Sequence, residues 1–330
     1  VSAIAASSST VYVGGSFGLV NSTGRSRLAA LTTAGAIRPG FVANADNAVY
    51  ALALSTAGDQ LFVGGAFDTI NGSANARRAG VVDPTTGAVG SFPANAAIPV
   101  TTAACSSVIR AIRVDATAAY FAAEGTGGGC FDGTMSANVA DGSLRWQSQC
   151  LGATQAIELI RGLLYTGAHT HDCTTDQSFD PDAFTEVGWS KGLARHLLAR
   201  DAVTGRLSSW YPNTDGGTGG ALGPRVFATD GTQLFLGGEF TQVNGKLQQG
   251  FARFSPTDSP TSPPNAPAAP IAVARSGNRV SVFVQAPLDI DDTDLVVRLY
   301  RNGSPIPIAA RNAHSLFWKQ PVVQFDDDGL

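Results

Sequence analysis

Metal-binding types of side chain are concentrated in one insertion that follows a predicted strand. It opens with a His-x-His pair, whose rings point to one side of a strand end, and continues as an acidic run; the members are His169, His171, Asp172, Asp176, Asp180 and Asp182. Imidazole and carboxylate groups bind transition metals, and carboxylates bind Ca²⁺. The spacing matches no EF-hand loop, so an acidic loop solvated by water and a metal site both stay open.

Three further carboxylates are candidates for acid–base chemistry: Glu124, Asp132 and Glu239. Glu124 is expected to take the place of a glycine that recurs elsewhere at a strand end. Paired carboxylates at the mouth of a channel can cleave glycosidic bonds, but polar residues with a purely structural role are the alternative. With no GxSxG motif and no nucleotide-binding loop, the sequence assigns no catalytic residue and favours a non-catalytic function.

Tryptophan side chains can stack on sugar rings. Trp146 and Trp210 each follow a similar turn sequence, DGSLRW and TGRLSSW, and that recurrence indicates packing. Trp189 lies inside the acidic insertion instead. It is therefore the better candidate for a ligand-binding residue, together with His169 and His171.

The four cysteines form two similarly placed pairs. Cys105 and Cys150 each precede the first strand of a predicted hairpin, whereas Cys130 and Cys173 each follow the second. The start of one antiparallel strand lies beside the end of the next, which predicts the disulfides Cys105–Cys130 and Cys150–Cys173. They would indicate an oxidising compartment. A zinc site with the histidines is the alternative, although no CxxC spacing supports it.

These candidate residues lie in and around a repeated strand motif. Five hydrophobic strands end in small residues: VYVGGSF, LFVGGAF, YFAAEG, LYTGAHT and LFLGGEF. Around the second copy, VYALALS precedes the glycine strand, and RRAGVVDPTTG and AVGSF follow it. Alternating strands separated by Gly, Asn and Asp turns predict four-stranded blades. We therefore expect an all-β fold, a β-propeller with five blades, or seven if further repeats complete it.

The repeat resembles a known family. The motifs LFVGGAF, Ile70-Asn71-Gly72 and VDPTTG at 82–87 are similar to the kelch-like, double-glycine propeller repeats of large secreted bacterial surface proteins. The resemblance covers residues 1–256. It implies the fold but not an activity, because propellers include enzymes, lectins and scaffolds.

The chain changes character after the repeats. Residues 257–270 are rich in Pro and Ser and predict a semi-rigid linker. Residues 271–330 contain three predicted strands and an Asn302-Gly303 turn, and they resemble a fibronectin type III domain, an Ig-like sandwich. Only part of such a sandwich fits this length. We expect the sequence to be a piece of a longer protein whose further domains belong to the same chain.

Composition excludes some classes of function. The net charge of −4 gives no reason to expect a nucleic-acid partner, and no apolar run is long enough for a membrane span. The first residues lack the features of a signal peptide, so we expect any export signal to have been removed.

The sequence therefore predicts a secreted or surface-displayed module, extracellular or at the cell surface, that binds glycans or proteins in adhesion or spaces other domains. No cofactor is expected, apart from the Ca²⁺ that the acidic insertion could bind. The alternatives are a carbohydrate-active hydrolase or lyase that uses channel carboxylates, and a structural subunit of an extracellular assembly.

Overall fold

The computed structural model describes residues 1–126, 130–148, 150, 152–170, 195–208, 210, 212, 214–217, 222–255, 263–289, 294–315 and 320–328. These residues form strands β1 to β25 and two short 3₁₀ helices, so the described protein is all-β, as predicted. Most of the first 255 residues belong to one compact unit, and most of the residues from Pro256 onward belong to a second.

The strands of the first unit are β1 (Ala3–Ala6), β2 (Thr10–Gly14), β3 (Leu19–Val20), β4 (Thr23–Gly24), β5 (Leu28–Thr32), β6 (Val49–Leu54), β7 (Leu61–Gly65), β8 (Ala79–Val82), β9 (Ser106–Val114), β10 (Ala118–Thr126), β11 (Thr134–Asn138), β12 (Leu144–Ser148), β13 (Thr154–Ile160), β14 (Leu163–Thr170), β15 (Arg195–Asp201), β16 (Pro224–Thr229), β17 (Leu234–Gly238), β18 (Gln242–Val243), β19 (Lys246–Leu247) and β20 (Phe251–Phe254). The 3₁₀ helices are Ala74–Ala76 and Pro93–Ala97.

Five antiparallel sheets follow one another along the described part of this unit. Sheet 1 is β1-β2-β5, sheet 2 is β6-β7-β8, sheet 3 is β9-β10-β11-β12, sheet 4 is β13-β14-β15 and sheet 5 is β16-β17-β20. The first strand of each sheet packs against the first strand of the next, from β1 through β6, β9 and β13 to β16. Face-to-face sheets that meet along their first strands are the arrangement of a β-propeller.

The glycine strands permit this packing. A Cβ atom built on Gly64 in β7 would lie 2.5 Å from Ile109 Cγ2 of the next sheet, and one on Gly14 would lie 2.5 Å from Val49 Cγ1. At these two positions a larger residue would push the neighbouring sheets apart. At the second glycine, Gly65, a Cβ atom would collide with the carbonyl oxygen of Ala48. The glycine pairs therefore permit close approach between and within sheets.

The predicted four-stranded blade is complete only in sheet 3 among the described residues. In sheets 1, 2 and 4 the fourth strand shrinks to a single bridge, formed by Ile37, Val89 and Leu207 respectively. In sheet 2 the Asp83 carboxylate accepts hydrogen bonds from the N–H groups of Thr85 and Thr86, which closes a tight turn directly after β8.

Aromatic side chains join neighbouring sheets. The Tyr12 hydroxyl of sheet 1 donates to the carbonyl of Pro84 in sheet 2, and Trp146 Nε1 of sheet 3 donates to the carbonyl of Ala202 in sheet 4. Trp146 is buried. The packing role predicted for it is thus what the structure shows.

The second unit contains two small sheets that share an apolar core. Its strands are β21 (Ile271–Arg275), β22 (Arg279–Gln285), β23 (Asp294–Leu299), β24 (Ala309–His314) and β25 (Val322–Asp327), with orders β21-β22-β25 and β23-β24. Phe325 and Ala286 lie at the centre of the core. Asn302 and Gly303 have φ angles of 51° and 72°, as expected of the predicted turn.

The helices in the described residues are too short and too polar to cross a bilayer.

Candidate functional site

A β-bulge in the first strand recurs in four sheets. In sheet 2, Val49 pairs with Gly65 and Ala51 with Gly64, so Tyr50 between them faces no partner residue. The same shift leaves Arg110 in β9, Gln155 in β13 and Arg225 in β16 without a paired residue. Bulges re-aim side chains at the rims of sheets. These four bulge residues lie at the end of the sheets where each glycine strand finishes, and we call this end the rim.

The strand register corrects one prediction about the glycines. Ala122 pairs with Ala111 and Ala123 with Ile109, so these two alanines occupy the positions of Gly64 and Gly65. Glu124 does not replace the second glycine, because it lies one residue beyond it. The sequence comparison slipped by one residue since YFAAEG contains a small residue on both sides of the glutamate.

The corrected register gives three predicted site residues the same structural position. Glu124, His169 and Glu239 each follow the second small residue of a glycine strand, in sheets 3, 4 and 5. A bulge residue lies beside each of the two glutamates. Arg110 binds Glu124 and Arg225 binds Glu239, each arginine preceding its glutamate by 14 residues.

Around Glu124, side chains from three sheets converge. Its Oε2 accepts hydrogen bonds from Arg110 Nε at 2.5 Å and from Gln155 Nε2 of sheet 4 at 3.3 Å. The Arg110 guanidinium also lies 4.8 Å from the centre of the Tyr50 ring of sheet 2. All of these side chains are half-buried, so the rim cluster of Tyr50, Arg110, Glu124 and Gln155 is ordered by its own contacts yet reaches the surface.

The electrostatics of Glu124 favour its charged form. Burial raises the pKa of Glu124, but the hydrogen bond and positive charge of Arg110, with smaller contributions from Gln155 and His169, more than offset it. The pKa of Glu124 therefore lies below its usual value. A carboxylate in this state accepts hydrogen bonds at neutral pH and holds no proton to donate.

Asp132 has a different role from the other two carboxylates. Its Oδ1 accepts a hydrogen bond from the Gly125 N–H of sheet 3, and its Oδ2 accepts one from the Gly152 N–H that leads into sheet 4. Both oxygens are thus engaged by backbone donors at 3.0 and 2.8 Å. The geometry assigns Asp132 to holding neighbouring sheets together at the rim.

The predicted disulfide Cys105–Cys130 is confirmed, with the two Cα atoms 5.3 Å apart. Cys105 precedes β9 and Cys130 lies between β10 and β11, so the bond closes sheet 3 at the same end as Glu124 and Asp132. For the second predicted bond, Cys150 is described but Cys173 lies outside the described residues.

Most of the predicted metal and ligand residues also lie outside the described part of the chain: His171, Asp172, Asp176, Asp180, Asp182 and Trp189. His169, at the end of β14, is half-buried and adds to the positive field at Glu124. Within the described ranges, no three His, Cys, Asp or Glu residues are grouped closely enough to bind a metal ion.

Sequence reasoning missed an ion pair at the first strands. Arg113 Nε on β9 lies 3.0 Å from both carboxylate oxygens of Glu158 on β13, and Glu158 is buried. Arg113 also donates to the carbonyl of Phe227 on β16. One side chain therefore links sheets 3, 4 and 5. The signal was present as Arg113 and Glu158, charged residues among apolar neighbours in the strand segments AIRV and AIELI.

A cavity of about 360 Å³ lies at the opposite end of the sheets from the rim. It is lined by Phe62, Phe92 and three acidic residues of turns. Each carboxylate already serves its own turn: Asp59 accepts from Ser55, Asp83 from Thr86, and Asp141 from Ser143. The three carboxylates are thus committed to their turns, whereas Gln60, which also lines the cavity, has a buried Oε1 with no hydrogen-bond partner among the described residues.

Comparison with known proteins shows neither a family nor a function for this chain. No family model matches the chain, and no curated protein matches it closely enough to count. Among solved structures, the chain is similar to the β-propeller domain of Myceliophteria thermophila Cps50 (Swd1), with 11% identity, a TM-score of 0.44, and coverage of 95% of this chain and 85% of that one. It is also similar to a chain from the complex of KlAtg21 with the coiled coil of AgAtg16, with 8% identity, a TM-score of 0.40, and coverage of 92% and 93%. Likenesses this distant carry no functional argument, and the propeller-type arrangement rests on how the five sheets pack.

Proposed function

We propose that this chain is a non-catalytic binding module of a larger extracellular protein, and that the rim cluster binds a glycan. The module is a five-bladed array of kelch-like, double-glycine repeats followed by part of a fibronectin type III domain. The observation that carries the proposal is the convergence of Tyr50, Arg110, Glu124 and Gln155 from three neighbouring sheets.

The chemistry of the cluster suits sugar hydroxyl groups. The charge of Glu124 is balanced by Arg110, so the surface offers hydrogen-bond donors and acceptors without a strong net charge. Tyr50 supplies an aromatic ring beside them. Planar polar groups with an aromatic neighbour can bind hydroxyls and pack against the ring of a sugar. A protein partner with a polar surface is the second expectation, and the experiment below separates the two.

The same contacts favour binding over glycoside hydrolysis. Hydrolysis needs one carboxyl group that holds a proton and a second that is free to act beside it. Glu124 and Glu239 are each held by an arginine of their own sheet, and Asp132 accepts two backbone hydrogen bonds. The disulfide Cys105–Cys130 supports an extracellular location, because such bonds persist in oxidising compartments.

The test is a glycan array probed with the wild-type chain and two matched variants. Gln155→Ala removes one polar arm of the rim cluster, whereas Gln233→Ala removes an equivalent side chain at the opposite end of sheet 5. We expect Gln155→Ala to weaken binding about fivefold to tenfold, as loss of one hydrogen bond would, and Gln233→Ala to leave it unchanged.

Equal binding by both variants, or no glycan binding by the wild type, would contradict the proposal. A parallel assay measures polysaccharide hydrolysis by the wild type and by Glu124→Gln. Turnover by the wild type that is lost in the variant would identify an enzyme instead of a binding module.

A further inference from the structure

Arg110 contacts its neighbours through only part of its guanidinium group. Its Nε donates to Glu124, and the group lies against the Tyr50 ring, with its carbon 4.8 Å from the ring centre. The two terminal nitrogens, Nη1 and Nη2, donate to no acceptor among the described residues, and neither of them is buried. An arginine that is already ordered therefore presents a pair of unused donors at the surface.

The other arginines that pair with a glutamate in the described strands are used differently. Arg225, the bulge residue of sheet 5, turns both Nε and Nη2 to one oxygen of Glu239. Arg113, three residues after Arg110 on the same strand, spends both terminal nitrogens on acceptors within the protein. Of these three arginines, Arg110 alone keeps both terminal nitrogens for a group outside the described part of the chain.

A carboxylate is the sugar substituent that fits this pair of donors. The N–H groups of Nη1 and Nη2 lie side by side in one plane, and the two oxygens of a carboxylate accept from both at once. A sugar hydroxyl has one oxygen and no charge, so its hydrogen bond to the same arginine is weaker. Glu124 occupies the Nε side of the guanidinium, which leaves the far end of Arg110 for the carboxylate of a ligand.

The acceptors beside Arg110 suit the hydroxyl groups of the same sugar. Gln155 donates through Nε2 to Glu124 Oε2 at 3.3 Å. Gln155 Oε1 and Glu124 Oε1 accept no hydrogen bond from the described residues, and neither oxygen is buried. Hydroxyl groups can donate to both. The carboxylate of a uronic acid is a few bonds from its ring hydroxyls, so one sugar unit can reach the arginine and these oxygens together.

We propose that the glycan bound at the rim is acidic, and that Arg110 recognises the carboxylate of a uronic acid through Nη1 and Nη2. This inference rests on the proposed function, because it names the class of glycan that the rim cluster selects. It requires the protein to distinguish a uronic acid from the neutral sugar of the same shape.

The experiment is a glycan array built from matched pairs of ligands. Oligosaccharides of glucuronic, galacturonic and mannuronic acid are each spotted beside the neutral oligosaccharide that reduction of their carboxyl groups produces. We expect the wild type to bind one uronic acid at least about tenfold more tightly than its neutral partner, as a charge-assisted pair of hydrogen bonds would give.

Two arginine variants test which side chain makes the distinction. Arg110→Lys keeps the positive charge but loses the planar pair of donors, so the preference for the uronic acid should fall to about twofold or less. Arg225→Lys is the matched control at the equivalent bulge of sheet 5, and it should keep the full preference. Circular dichroism verifies that both variants are folded, and the ligand pairs test the wild type by themselves if Arg110→Lys is not.

The outcomes separate this inference from the proposed function. Equal binding of acidic and neutral glycans by the wild type would overturn the inference and leave a glycan-binding rim in place. A preference that persists in a folded Arg110→Lys would also overturn it, because the paired donors would then not be its cause. No binding to any glycan on the array would contradict the proposed function and this inference together.

Discussion

Arg113 and Glu158 form a two-pronged ion pair across the junction of sheets 3 and 4, with the arginine Nε 3.0 Å from each carboxylate oxygen. The Glu158 side chain is only 9% exposed, while that of Arg113 is 36% exposed. The pair therefore lies at the boundary between interior and solvent. Loss of Arg113 would leave a buried charge without a partner, whereas loss of Glu158 would leave a charge that water reaches.

Removing Arg113 should destabilise the protein more than removing the charge of Glu158. Arg113→Met leaves a buried carboxylate without its cation, and we expect the free energy of unfolding to fall by about 3 kcal/mol. Glu158→Gln leaves an arginine that water still reaches, so the loss should be about 1 kcal/mol. Denaturation in urea, followed by circular dichroism, measures both.

Arg279→Met is the control for this series, since the Arg279–Asp328 pair is exposed on both sides. It should leave stability nearly unchanged, because water screens both charges. The double variant Arg113→Met with Glu158→Met should recover part of the loss seen in Arg113→Met. Equal losses in the two single variants would show that burial of Glu158 is not what makes the pair important.

The pKa of Glu124 should rise when Arg110 is replaced by Met. Burial of the carboxyl group would then act without its main opposing interaction. Because the pKa of the native wild type is lowered, the ion pair stabilises the fold above the pKa of the unfolded glutamate and ceases to do so as pH falls through the native value. The difference in stability between wild type and variant should therefore shrink in acid.

Carbon-13 NMR titration of the glutamate carboxyl groups measures this shift directly. Arg225→Met is the matched control, because it removes the corresponding arginine beside Glu239 and should leave Glu124 unaffected. A similar rise for Glu124 in both variants would exclude Arg110 as the specific cause.

The glycines of sheets 2 and 5 should differ sharply in their tolerance of alanine. Gly64→Ala forces a methyl group against Ile109, so a loss of about 1 to 3 kcal/mol is expected. Gly237→Ala meets the tip of the Val226 side chain at 3.2 Å, which can move aside, so the loss should be much smaller. Thermal unfolding of the two variants makes the comparison. A large loss for Gly237→Ala would mean that the Val226 side chain cannot move aside.

Replacing Cys105 and Cys130 together by Ser should lower stability by about 3 kcal/mol, through the gain in unfolded-chain entropy. Urea denaturation without reductant compares this variant with the wild type, and peptide mapping under non-reducing conditions verifies the bond. Recovery of free thiols at both positions in the native protein would disprove the pairing.

The fold class followed from periodic features that depend only on local chemistry. Strand alternation and the small-residue motif repeat at fixed points of each unit, and the cysteines take equivalent places in two units, so these features predicted the all-β array and the confirmed disulfide. The rim cluster was harder to foresee. Glu124 was singled out, but its partners Arg110 and Gln155 come from other strands, and a bulge decides where their side chains point.

Register is the physical reason for the errors. A shift of one residue reverses the face on which a side chain lies, and nothing in YFAAEG distinguishes Ala122-Ala123 from Ala123-Glu124 as the equivalent of the glycine pair.

The bulges at Tyr50, Arg110, Gln155 and Arg225 separate changes at the rim from changes in the packed interior. Each bulge residue has no partner across the strand, whereas the residues on either side of it keep the pairing that seats one sheet on the next. An aromatic ring, a guanidinium and an amide already occupy this position on nearly the same backbone. The rim can therefore acquire a new specificity one sheet at a time, by single substitutions that leave the packed interior as it was.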